Sequence, residues 1–207
     1  MNAFESFDTP HGAHSHRAEH VQHMRQRLTA GPREALSAAE QQDLLALREE
    51  EKLARDVYAT LAARWHLRPF ENIVGAEQAH MDMVQAALEH QGLPDPVQDL
   101  PAGRFASAPV QALYERLCAQ GLQSPQEAVA VGLHVEELDI ADLRAAAART
   151  ASARLRELYA ELERGSRNHL RAFFRWQQQL GGAYEPRHLP VEAYQAIATS
   201  PKEACWQ

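Results

Sequence analysis

Glu77 and His80 stand three residues apart in "EQAH", a spacing that brings both side chains to one face of a helix, one turn apart. A carboxylate and an imidazole so placed can share a metal ion or a proton. Ionisable groups recur at three other places: Glu51 in "EEEKLARDVY", Glu136 in "VGLHVEELDI" and His169 in "RGSRNHLRAF". Each interrupts an apolar stripe at helical spacing. Leu44, Leu47, Ala54 and Tyr58 flank Glu51, while Ile73, Met81, Val84 and Leu88 flank the Glu-x-x-His pair. Glu136 sits among Val129, Leu133, Ile140 and Leu143, and His169 among Leu155, Tyr159, Leu162, Ser166, Phe173 and Trp176.

A carboxylate buried alone costs several kcal/mol, so it neutralises or finds a partner. Two arrangements could satisfy four such stripes. One is a buried polar network in which protonated histidines pair with the glutamates. The other is a dinuclear metal site, with carboxylate and imidazole ligands drawn from a helical bundle. Two histidines against three glutamates leave the network's charge unbalanced, which favours the metal reading. Within the Glu49–Glu51 triplet, helical phase sends Glu51 inward, Glu49 toward water and Glu50 to the border.

The elements that must position these groups are helices. Ser37 and Glu40 form a capping box at the start of the first, which runs to about His66. The second spans about Phe70 to Gln91 and stops at Gly92, a C′ glycine. A connection of roughly thirty residues follows, holding a short helix near 109–120, and is too long for a tight turn. Ser124 and Glu127, around Pro125, open the third long helix, which reaches about Arg149. The fourth runs from about Ser152 to Leu180 and ends at Gly181–Gly182. An extended segment and one short helix close the chain. No segment alternates with period two long enough to be a strand. The expected fold is all-α: two helical pairs joined by one long crossover. Three regions follow, a flexible histidine-rich tail over 1–36, a bundle over 37–185 and a C-terminal extension over 186–207.

Composition narrows the function classes. A formal charge of −7 gives no electrostatic reason to bind nucleic acid. No apolar run approaches the roughly 20 residues of a membrane span, and the N-terminus lacks the pattern of a secretory signal. Two cysteines, Cys118 and Cys205, cannot supply a disulfide framework or a four-thiolate iron centre. A cytoplasmic setting is expected.

Taken in order, "EEEKLARDVY", "EQAHMDMV", "VGLHVEELDIADL", "RGSRNHLRAF" and "YEPRHLPVEAY" resemble the family catalogued as domain of unknown function 2202, over about residues 40 to 198. That family looks like a branch of the ferritin-like di-iron carboxylate proteins, such as the rubrerythrins. The resemblance implies a ferritin-like four-helix bundle with Glu51, Glu77, His80, Glu136 and His169 as metal ligands. Its pattern would place a glutamate at 166, where this chain has Ser166. Asp139, one turn beyond Glu136, could replace the missing carboxylate. Glu137 is displaced sideways, toward a neighbour or solvent.

The implied cofactor is a pair of iron ions, with manganese or zinc as alternatives. Two ferrous ions could each supply an electron to dioxygen or peroxide, and turnover would need an external electron donor. A homodimer is compatible with such a chain. The competing expectations are a metal-binding protein without turnover and a helical interaction module with a vestigial site. Among lesser signals, Tyr58 and Tyr159 read as core residues with satisfied hydroxyls. His11, His14, His16, His20 and His23 read as part of a solvated tail, although helical phase would put His16, His20 and His23 on one face. Arg167 and Arg171 read as surface or ion-pair residues, and Cys118 as a packing residue.

Overall fold

The computed structural model describes the backbone of residues 10–204 and the side chains of residues 16–204. Its described residues form seven helices and no strands: α1 (Pro10–Thr29), α2 (Ala38–Trp65), α3 (Arg68–Gln91), α4 (Ala108–Gly121), α5 (Pro125–Arg149), α6 (Ala153–Leu180) and α7 (Val191–Ala198). None is long and apolar enough to cross a membrane.

Local chemistry accounts for most boundaries. At the start of α2 both halves of the capping box are made: the Glu40 amide donates to Ser37 Oγ and the Ser37 amide donates to Glu40 Oε2 at 2.8 Å. The other Glu40 oxygen accepts from the Thr150 hydroxyl at 2.6 Å and the Ala151 amide at 3.0 Å, tying this end to the α5–α6 turn. The Thr150 and Ser37 hydrogen bonds hold its carboxyl down at about 2. At α5 only the serine half forms: Ser124 caps the Glu127 amide, while the Glu127 carboxylate accepts from Gln120 instead. Gly92 and Gly181 end α3 and α6 in the left-handed conformation that glycine adopts without penalty.

The α2–α3 and α5–α6 hairpins make the most extensive contacts, and α4 lies across α2 and α5 as part of the crossover between them. The crossover is pinned by a buried ion pair. Lys52 Nζ stands 2.5 Å from Asp56 and donates to the Pro101 carbonyl at 2.9 Å, while Asp56 also accepts from the Gly103 amide. Two apolar clusters fill the bundle. One includes Leu53, Val57, Phe70, Ile73, Val129, Leu133, Leu170 and Phe173. The other includes Leu44, Leu47, Met83, Val84, Leu88, Leu143, Leu155 and Leu162. Glu51, Glu77, Glu136 and His169 lie between these groups along their four helices. Close packing is needed here: a Cβ at Gly132 would come within 2.7 Å of the Phe173 ring.

Two expectations change. Part of the segment read as a mobile tail is helical, because α1 packs on α3 and α6 and buries Met24 and Leu28 in the second cluster. The first nine residues and the side chains of His11 and His14 lie outside the described residues, as does Cys205. Glu49 does not face water. It is 7% exposed, and its Oε1 accepts from the Ser107 amide at 2.9 Å, because the crossover covers that side of α2.

Candidate metal centre

Four helices each contribute to one polar layer. Glu51 comes from α2, Glu77 and His80 from α3, Glu136 and Asp139 from α5, and Ser166 and His169 from α6. Glu51, Glu77 and Glu136 are at most 2% exposed, and the two histidines less than 10%. The ligand atoms fall into two groups of three, Glu51–Glu77–His80 and Glu77–Glu136–His169, with the atoms of each within 4.8 Å of one another. Glu77 belongs to both.

The two oxygens of Glu77 divide between the histidines. His80 Nδ1 is 2.9 Å from Oε2 and 3.1 Å from Glu51 Oε2, while His169 Nδ1 is 2.9 Å from Oε1 and 3.5 Å from Glu136 Oε1. The imidazole rings stack at 5.6 Å between centroids. Glu136 Oε1 also accepts from the Tyr58 hydroxyl at 2.6 Å. Tyr58, read from the sequence as an ordinary core residue, therefore touches the site.

Proximity here is not the same as hydrogen bonding. His169 Nδ1, Glu77 Oε1 and Glu51 Oε1 are buried without a hydrogen-bond partner, although the first two stand only 2.9 Å apart. Their spacing is short but their alignment is wrong for a donor and an acceptor facing each other. Two ligands bonded at roughly 2.1 Å to one ion lie about 3 Å from each other, with lone pairs aimed at the ion. Buried orphan atoms at ligand spacing, in a mixed carboxylate–imidazole set, fit a pair of divalent cations.

The electrostatics of the metal-free layer show what such cations would offset. Burial raises Glu51, and burial with the charge of Glu51 raises Asp139 well above the usual carboxylate range. Burial pushes Glu136 up to about 7, against the pull of His169. Glu77 moves the other way: burial would raise it, but His169 and His80 together hold it low. Burial would lower both histidines, yet the adjoining glutamates raise them, His169 to about 10. Without metal, protons compensate the carboxylates.

Asp139 belongs to neither group of three. Its Oδ2 accepts from the Ser166 hydroxyl at 2.5 Å, and Ser166 Oγ also lies 3.0 Å from the Leu162 carbonyl. The residue at the expected glutamate position thus holds the proposed substitute within the layer but outside both ligand groups. Glu137 is turned away and serves the C-terminal segment. The Tyr184 hydroxyl and the amides of Arg187, His188 and Leu189 all donate to it. Arg167 and Arg171 pair with Glu203, and Cys118 packs in the first apolar cluster.

Sequence reasoning passed over Gly165. A Cβ there would stand 2.4 Å from His80 Nε2, so the ring can occupy its place only against a glycine. The signal was available, since a glycine inside a helix costs about 1 kcal/mol relative to alanine and asks for a reason. The α1 histidines do gather on one side: His16, His20 and His23 line a cleft against α6, where His20 Nε2 lies 2.7 Å from Glu161.

A family model described as an uncharacterized protein domain, DUF2202, matches residues 40–201, and the chain belongs to that family. Uncharacterized protein MJ0754 of Methanocaldococcus jannaschii is 41% identical over 172 residues, covering 83% of this chain and 93% of the relative. The crystal structure of hypothetical protein MJ0754 matches with a TM-score of 0.82 at 41% identity, over 84% of this chain and 99% of that one.

Proposed function

We propose that this member of the DUF2202 family is a ferritin-like dimetal-carboxylate protein, a di-iron oxidoreductase acting on dioxygen or peroxide. The observation that carries this reading is the set of orphaned buried atoms, Glu51 Oε1, Glu77 Oε1 and His169 Nδ1, inside two three-residue ligand groups that share Glu77. Glu51 and His80 would hold one ion, Glu136 and His169 the other, and Glu77 would contact both. Bound iron would supply reversible one-electron chemistry.

The chain's own residues do the rest. Tyr58, itself fully buried, holds Glu136 by a hydrogen bond. The apolar clusters on either side exclude water and so strengthen each charge interaction in the layer. In the metal-free state His169, raised to about 10, holds a proton at neutral pH and Glu136, raised to about 7, holds one part of the time; bound metal would displace them. With two cysteines in the whole chain, the electrons for repeated turnover come from an external donor.

The test is anaerobic loading with ferrous iron, metal analysis, and an optical spectrum before and after exposure to air or peroxide. About two iron ions per chain and a new absorption band of a coupled ferric pair support the proposal. Tightly held metal with no spectral change makes the protein a metal-handling one, and trace metal in a fully helical protein leaves a helical module with a vestigial site.

A further inference from the structure

A second pair of histidines lies outside the bundle layer. His134 is on α5 and His188 on the segment between α6 and α7. Their Nε2 atoms are 3.2 Å apart, and the rings stack with centroids 5.2 Å apart and planes inclined by 25°. The pair is not a chance meeting of mobile side chains. Glu137, fully buried, accepts from the Arg187 amide at 2.8 Å and from the His188 and Leu189 amides at 2.7 Å, which fixes the backbone carrying His188. The helix fixes the other partner, three residues before Glu137.

At this distance both Nε2 atoms cannot carry a hydrogen toward each other. At most one donates, and the other presents its lone pair. Two imidazoles bonded at roughly 2.0–2.1 Å to one tetrahedral ion have nitrogens about 3.3 Å apart. The observed separation meets that requirement without movement of either backbone. His188 is exposed, so an ion and the waters completing its shell can reach the pair. Arg116 and Arg187 add positive charge around His134 and the carboxylate of Glu137 opposes it, while the carboxylate of Asp142 faces His188.

We propose that His134 and His188 form a second, two-imidazole seat for a divalent transition-metal ion, bridging α5 to the C-terminal segment and separate from the carboxylate layer. Imidazole ligands without carboxylates suit zinc and copper. When the ion binds, the donating imidazole moves its proton from Nε2 to Nδ1, and both Nε2 lone pairs face the metal.

The test uses the full chain, Cu2+ as the probe, and electron paramagnetic resonance to count imidazole nitrogens. The Glu77→Gln variant, with the bundle site impaired, should still take about one copper per chain with two nitrogen ligands. His188→Asn, at an exposed position, should keep its helical content and lose that ion while anaerobic iron binding in the bundle persists. Hydrogen exchange over residues 184–190 of the wild-type chain should slow on copper or zinc addition. Unchanged copper stoichiometry and nitrogen pattern in His188→Asn would overturn the proposal, as would a Glu77→Gln protein that binds no copper. The first result would place the ion elsewhere, and the second would reduce the pair to a hydrogen bond. Neither bears on iron in the bundle.

Discussion

Glu136 and Glu137 are neighbours on α5, both with carboxylates out of water, and they are held in opposite ways. Glu137 accepts from four donors, a tyrosine hydroxyl on one oxygen and three backbone amides on the other. Burial would raise it, but those hydrogen bonds hold it below the usual carboxylate range. Glu136 has the Tyr58 hydroxyl, a histidine at 3.5 Å and the charge of Glu77 nearby, and burial pushes it up to about 7. Glu40, saturated by hydroxyls and amides, belongs with Glu137. Glu51 and Glu77, each with an orphaned oxygen, belong with Glu136. A buried carboxylate whose donors come from the chain is part of the scaffold. One left with histidines, other carboxylates and at most a single hydroxyl donor is, in our proposal, a seat for something the chain does not supply.

The same substitution at both neighbours gives the largest contrast. Glu137→Gln turns an acceptor into an N–H₂ group among backbone donors and should cost about 3 kcal/mol in the metal-free protein. Glu136→Gln keeps the acceptor for Tyr58 and removes a charge, so its cost should stay within about 1 kcal/mol while metal binding is lost. Urea denaturation of both proteins without metal measures the difference. Equal costs would break the distinction between scaffold and seat.

Gly165→Ala sharpens it from the other side. The added methyl would displace His80 without touching any scaffold carboxylate. Affinity at the Glu51–Glu77–His80 group should fall by at least about tenfold, near 1.4 kcal/mol, in a chelator competition. Full affinity in this variant would mean that His80 is not a ligand.

Much of this was legible in the sequence, because the relevant signals are local. Serine caps and terminal glycines mark the helix ends to within a few residues, and helical phase alone places Glu51, Glu77, His80, Glu136 and His169 on inward stripes. What was not legible depends on distant partners. The donors to Glu137 come from about fifty residues along the chain, and Glu49 is covered by a crossover whose path no periodicity reports. Helix α1 escaped because, among its described side chains, only Met24 and Leu28 are buried between charged and histidine residues, too sparse a stripe to read.

The two kinds of carboxylate also predict a pH dependence. Glu136 and His169 titrate higher in the folded metal-free protein, at about 7 and about 10, than their ordinary values of 4.5 and 6.5. The folded state therefore binds more protons than the unfolded one across those windows, and its stability falls as pH rises through them. Bound metal would replace those protons, so the gain in Tm on adding zinc or ferrous ion should grow between about pH 5 and pH 8. Thermal melts across that range check this, and a pH-independent gain would contradict it.

The smallest expected effect concerns Asp139, which stands between the two classes because Ser166 supplies one donor to it. Asp139→Asn should weaken one metal by a few-fold at most, about 1 kcal/mol or less, and leave the other unchanged in a stepwise binding isotherm. Adding Ser166→Glu should restore the lost affinity. If both affinities are unchanged in Asp139→Asn, this carboxylate does not complete the site.

The central claim is that the orphaned atoms of the bundle layer mark the positions of two ions that share Glu77. Anomalous diffraction from crystals loaded anaerobically with ferrous iron, recorded at the iron absorption edge, tests it most directly. The account predicts two peaks, one bounded by Glu51, Glu77 and His80 and the other by Glu77, Glu136 and His169. A layer with no anomalous peak, its histidines and glutamates joined only to one another, would contradict it.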